Sequence, residues 1–231
     1  MASTSVPVIT LPRPALMRQW LAQYRVPAVG VAIATGGKVA FKVYGELSKG
    51  IPAPQNTVWG SKALTDATAI LNNTGDGEPD NLPQTDFFTG LNMPDTSFGD
   101  PVKVLNRMAR PHNNREGIYV FKPYDTDSHL FTTLSDLCKL LIHIGKKVND
   151  IAMAGTTAEE YGWRALYSTP GGYQGITHSA VGNGASHSLL LFPRTKQAVV
   201  ILTNSDNGGQ LTDTVISQCW PSLLHFAPLV H

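Results

Sequence analysis

Residues 29–35 and 38–44 are two runs rich in Val, Ala, Ile and Phe, separated by nothing but Gly36-Gly37. Two-residue hairpin loops need positive φ, which glycine adopts without steric cost, and their twist matches that of the flanking strands. The pattern predicts a β-hairpin, and a hairpin commits the chain to antiparallel pairing. Further strand-like runs lie at 161–168, 186–192 and 198–203, with Gly171-Gly172 and residues 193–196 as the turns between them.

Three segments carry helical periodicity. In residues 14–24, Leu16, Trp20, Leu21 and Tyr24 recur at helical spacing, Pro14 suits a first turn, and Val26-Pro27 ends the element. In residues 132–147, Leu134, Leu137, Cys138, Leu141 and Ile144 form one apolar stripe. Thr133 is placed to cap it, Asp136 completes an approximate capping box, and Lys146 and Lys147 sit at the negative end of the dipole. In residues 209–220, Leu211, Val215, Ile216 and Cys219 point inward and Pro221 stops the helix. Residues 61–71 form a short, weaker helix, because Ser, Thr and Asp lower its propensity. Residues 102–110 and 117–121 are short and ambiguous. Residues 72–101 read as loop, dense in Asn, Asp, Gly and Pro.

Hairpins rather than βαβ units, with helices at both ends, predict an α+β fold: an antiparallel β-sheet flanked by N- and C-terminal helices. The two terminal helices are expected together on one face of a single sheet. The 231 residues read as one domain, with 72–121 as an irregular insertion.

Composition narrows the function classes. Eighteen Lys and Arg stand against seventeen Asp and Glu, so no basic field invites nucleic acid. No apolar run approaches the length of a membrane span. The first residues lack a positive stretch followed by an apolar one, and Cys138 and Cys219 do not make a disulfide framework, which predicts a cytoplasmic, reducing setting.

Chemistry-bearing residues are sparse. Ser61 and Lys62 are adjacent, so on a regular helix they diverge by about 100° and do not share a face. Ser61 is a candidate nucleophile; as an N-cap it needs no further role. Lys62 is either a site lysine or a solvated one. His178 either polarises a bound carbonyl or is a satisfied strand histidine. His187 lies nine residues on, and two such histidines with no third ligand make a weak metal signal. Gly182-Asn183-Gly184 reads as a hairpin turn, not a phosphate cradle. Trp20, Trp163 and Trp220 read as core packing.

Several blocks in order resemble the serine β-lactamase and penicillin-binding-protein family. Residues 26–34 with Gly37-Lys38-Val39 and Tyr44-Gly45 resemble its opening strand pair. Leu91-Asn92-Met93-Pro94-Asp95-Thr96-Ser97-Phe98 is similar to its Leu-Gly-Met-x-Asp-Thr-x-Phe, and residues 130–137 to its Leu-Phe-Ser-Thr-x-x-Asp-Leu helix start. Thr177-His178-Ser179, with residues 188–193 and 199–205, resembles its closing strands, His178 standing at the His-x-Gly or Lys-Thr-Gly position. The likeness leans to class C-like enzymes, esterases and acyltransferases. It implies a helical domain much reduced in this chain and acyl transfer from a small-molecule acyl, ester or amide substrate. Ser61 would be the nucleophile, Lys62 its base or electrostatic partner and His178 an orienting group. No metal and no organic cofactor is needed, and neither nucleic acid nor membrane is an expected partner. The departures are in the site. The family acylates a serine three residues before a lysine, but Trp59 stands three before Lys62, and no Ser-x-x-Lys or Tyr-x-Asn occurs. The rival expectation is therefore a non-catalytic binding or regulatory relative, or a shortened product.

Overall fold

A computed structural model describes residues 9–68, 84–99, 102–115, 129–151, 162–168 and 172–221. Helix α1 (Pro14–Tyr24) leads into β1 (Ala28–Thr35) and β2 (Lys38–Ser48), followed by the short β3 (Ile51–Pro52). Strand β4 (Val58–Ser61) runs straight into α2 (Lys62–Thr68). After α3 (Gln84–Gly90), β5 (Ser97–Phe98) and a 3-10 turn (Val102–Arg107), β6 (Leu130–Thr133) enters α4 (Leu134–Ile151). Strands β7 (Arg164–Ser168), β8 (Gly172–Gly182), β9 (Ala185–Phe192) and β10 (Gln197–Thr203) precede α5 (Gly208–Cys219).

Seven strands form one antiparallel sheet in the order β3-β2-β1-β10-β9-β8-β7, and β4-β6-β5 form a second, smaller one. The α+β architecture and the single sheet holding the first hairpin and the last strands are as expected from the sequence. Gly36 and Gly37 both take positive φ, at 58° and 82°, and turn the first hairpin.

Both faces of the large sheet are covered, which explains its continuous apolar runs. Val29, Val31, Ile33, Val199, Ile201 and Leu190 face α1 and α5, where Met17, Trp20, Leu21, Leu211, Val215 and Trp220 complete one core cluster. The terminal helices are also joined by Tyr24 Oη and Thr214 Oγ1 at 2.7 Å. Alternate residues, among them Ala32, Ala34, Ala198, Val200 and Leu202, face α4 and share a second cluster with Leu134, Leu137, Cys138, Leu141 and Ile144. Gly30 is small for a reason: a Cβ there would stand 2.9 Å from both Leu134 and Trp59 side-chain carbons.

Helix α4 begins two residues later than expected, because Thr132 and Thr133 belong to β6. Thr133 Oγ1 still accepts the Asp136 amide at 3.3 Å, so it caps the helix. Asp136 does not close a capping box. Its buried carboxylate accepts the Asp95 amide at 2.9 Å, the Thr96 hydroxyl at 3.3 Å and Lys139 Nζ at 2.9 Å. The segment Met93–Phe98 is thereby stapled to the start of α4, and its Asp-Thr pair is structural. Thr133→Ala should lower stability by about 1 kcal/mol, read as a shift of the urea midpoint at unchanged m-value.

Three sequence readings need correction. Gly172, read as part of a turn, is the first residue of β8, which runs to Gly182 and places His178 on a strand as the family resemblance implied. Residues 84–90 form α3 within a stretch read as loop. Residues 102–107 resolve as a 3-10 turn. The readings at 69–83, 117–121 and 223–230 lie outside the described residues. No helix among the described residues is long and apolar enough to cross a membrane.

The outer edge of β2 carries one further device. The Gln55 carboxamide accepts the Val43 amide at 3.0 Å and donates to the Val43 carbonyl at 3.2 Å.

Candidate functional site

Ser61 is the last residue of β4 and directly precedes α2. Gly60 makes that placement possible, since a Cβ there would come within 2.3 Å of the Phe131 ring on the neighbouring strand β6. Ser61 is buried, and its Oγ accepts the Leu64 amide at 3.1 Å, so it caps α2. Lys62 opens the helix.

The recess that Ser61 lines is also lined by His187, which the sequence marks only as a weak metal ligand. Trp59, Ser61, Leu64, Ser186, His187 and Asn204 line one small recess between the β4–α2 junction and the β9–β10 strands. The free volume in it is about 10 Å³, roughly that of one water site.

His178 does not line this recess. It stands behind His187, its Nδ1 2.8 Å from His187 Nε2, with the rings nearly parallel and their centroids 5.0 Å apart. The hairpin explains the pairing. Asn183 and Gly184 turn it with φ of 52° and 78°. The register sets Ala180 opposite His187 and His178 opposite Leu189, so the two histidines are diagonal neighbours on one face. Counting outward from the Gly182-Asn183-Gly184 turn gives that diagonal directly from the sequence.

Both histidines are buried. Burial lowers His178 to about 4, and the carboxylate of Asp66 on α2 only partly opposes it. Burial and then the neighbouring His178 lower His187 to about 3. Both imidazoles are therefore neutral at pH 7, so one donates and the other accepts in the shared hydrogen bond. Trp163 packs on His178 with centroids 5.4 Å apart, and its Nε1 donates to the Ala67 carbonyl at 2.9 Å. That bond ties the end of α2 to the residue preceding β7. Gly162 sits close on the other side, where a Cβ would meet His178 Nε2 at 3.1 Å.

The remaining polar walls are already paired. Asn204 Oδ1 accepts the Ala28 amide at 2.7 Å, and its Nδ2 donates to the Glu46 and Leu47 carbonyls. Ser186 and Thr203 hydroxyls bond one another at 2.8 Å. No group of three or more His, Cys, Asp or Glu could hold a metal ion among the described residues. Among the described residues, Ser61 and His187 line one recess, and His178 is hydrogen-bonded to His187 outside it.

No protein-family profile matches the chain, and no curated protein matches it. Solved structures do. A class C β-lactamase from Rhodobacter sphaeroides superposes with a TM-score of 0.60 at 13% identity, covering 88% of this chain and 98% of its own. A D-alanine carboxypeptidase from Burkholderia cenocepacia gives 0.61 at 12% identity, covering 89% and 100%. A β-lactamase from Sulfitobacter gives 0.57 at 12% identity, covering 92% and 100%. At these identities the likeness shows the fold: this chain has the architecture of class C β-lactamases and D-alanine carboxypeptidases.

Proposed function

We propose that this chain is a β-lactamase-related protein of serine acyl-hydrolase and acyltransferase ancestry whose Ser61 accepts an acyl group from a small activated ester. The observation that carries this reading is that Ser61 and His187 line one recess, with His178 bonded behind His187. A serine beside a neutral imidazole that is itself oriented by a third group has the logic of an activated nucleophile. Ser61 Oγ would bond to the carbonyl carbon as its proton passes to His187, and the alkoxide or phenoxide that leaves would take that proton back from His187. His178 acts as a positioning residue through His187. The base role expected of Lys62 goes to His187, and Lys62 remains a positive charge at the start of α2. An imidazole held near 3 is a weak base, so acylation is slow. Two free cysteines accord with a reducing compartment.

A second reading has its own support. The Ser61 oxygen is engaged in capping α2, and the recess is about one water in size, which suits a non-catalytic binding or regulatory relative. Exposure to p-nitrophenyl acetate, followed by intact-mass measurement and peptide mapping, separates the two. The expected result is one acetyl group on the Ser61 peptide, absent in Ser61→Ala, with no measurable turnover of a penicillin. Unmodified wild-type protein, or an acetyl that survives Ser61→Ala, establishes the non-catalytic reading for this site.

A further inference from the structure

Among the described residues, the Nε1–H of Trp59 is buried and has no hydrogen-bond acceptor. Trp59 is only 3% exposed, and it lines the same recess as Ser61 and His187. A buried N–H without an acceptor forfeits its hydration with no return, so a fold that keeps one in a residue lining a polar recess calls for a partner. The recess has about the volume that one water requires.

The donor and acceptor count fits a single oxygen. Trp59 offers one proton. Ser61 uses its oxygen to accept the Leu64 amide, which leaves its O–H proton to donate. His187 shares Nε2 with His178, which leaves Nδ1 as its second ring position. Asn204, Ser186 and Thr203 are committed to one another or to backbone. A water takes two hydrogen bonds and gives two.

We infer that the recess is a one-water binding site in which Trp59 anchors a buried water bridging Ser61 to His187. This inference rests on the acyl-acceptor reading only for its chemical consequence. In that step the Ser61 proton passes to the water oxygen as Oγ bonds to the acyl carbon, and a water proton passes to His187. The water is regenerated, the leaving alkoxide later takes the proton back from His187, and no other reactant is needed. Trp59 is the positioning residue for the relay.

The test begins with the water alone. In the 15N-labelled protein, the Trp59 indole proton is expected to show a rotating-frame cross-peak to water, and Trp59→Phe assigns that signal by deleting it. The chain has four tryptophans, and Trp163 and Trp220 donate to the Ala67 and Thr10 carbonyls. Their unchanged indole signals in Trp59→Phe report that the variant is folded. A Trp59 indole proton without a water cross-peak overturns the inference, whatever the protein does with esters. The second arm times acetylation by p-nitrophenyl acetate, where Trp59→Phe should slow labelling of Ser61 about 10-fold or more. Equal labelling rates in a folded variant overturn the relay. If wild-type protein is not acetylated at all, the acyl-acceptor reading fails, while the cross-peak still decides the water site.

Discussion

Gly45→Ala should melt at least about 6 °C below wild type or fail to fold, a loss of more than about 3 kcal/mol. Two costs coincide at this position. The residue has φ of 91°, a conformation that L side chains rarely adopt. An added Cβ would also lie 2.0 Å from the Pro27 carbonyl oxygen and 3.0 Å from the Ala28 Cα. Both obstacles are backbone at the start of β1, held by the Glu46 amide donating to that same Pro27 oxygen at 2.8 Å. No rotamer change relieves such a contact. Gly37→Ala is the matched comparison, since φ there is 82° but nothing lies within 4 Å of the new Cβ. It should cost only the backbone conformation, about 1 kcal/mol. Equal thermal shifts for the two variants would show that the Pro27 contact contributes nothing.

The second large effect is with acid. His178 and His187 ordinarily titrate near 6.5, and the fold lowers them to about 4 and about 3. An imidazole with a lowered folded value binds its proton later in the folded state than in the unfolded chain. As pH falls below about 6.5, the unfolded chain takes up protons that the folded protein refuses, so stability declines. The stabilisation is full above pH 6.5 and is lost progressively down to pH 3–4. For His178 the span corresponds to about 3 kcal/mol as an upper figure. Carboxylates titrate over part of this range, so the informative quantity is the difference between wild type and His187→Asn. The variant should be less stable at pH 7 yet lose less stability between pH 6.5 and 4.5 by urea unfolding. Parallel losses would mean that the pair is not what makes the fold acid-sensitive.

Elements with a strong local period were legible in the sequence. The stripe of Leu134, Leu137, Cys138, Leu141 and Ile144 is buried as written, and the first hairpin turns on its two glycines. Local pattern alone does not mark strand β8, because its apolar residues do not alternate; the turn at Gly182-Asn183-Gly184 and the family resemblance at Thr177-His178-Ser179 imply a strand there, and pairing with β7 and β9 defines its extent. Helix α3 is too short for periodicity to emerge from its Asn- and Pro-rich surroundings. The same distinction governs the site. Ser61 could be singled out because it sits beside a lysine in a motif-like context. His187 could not, since its place in the same recess depends on a fold that brings the β4–α2 junction and β9 around one small cavity. Trp59 stood out in the sequence only as the residue in place of the family's serine, three before Lys62, and nothing there marked its indole N–H as buried beside a recess.

The Gln55 clamp on Val43 has a bearing on how copies of this protein behave together. An open sheet edge is a template on which another chain can lay down a strand. A primary amide presents one donor and one acceptor with nearly the spacing of a peptide group, so at Val43 the docking rung is occupied by the molecule itself. Phe41, two residues away and 37% exposed, is the apolar side chain that an arriving strand would cover. One glutamine thus occupies the rung on which a second copy's strand would first pair.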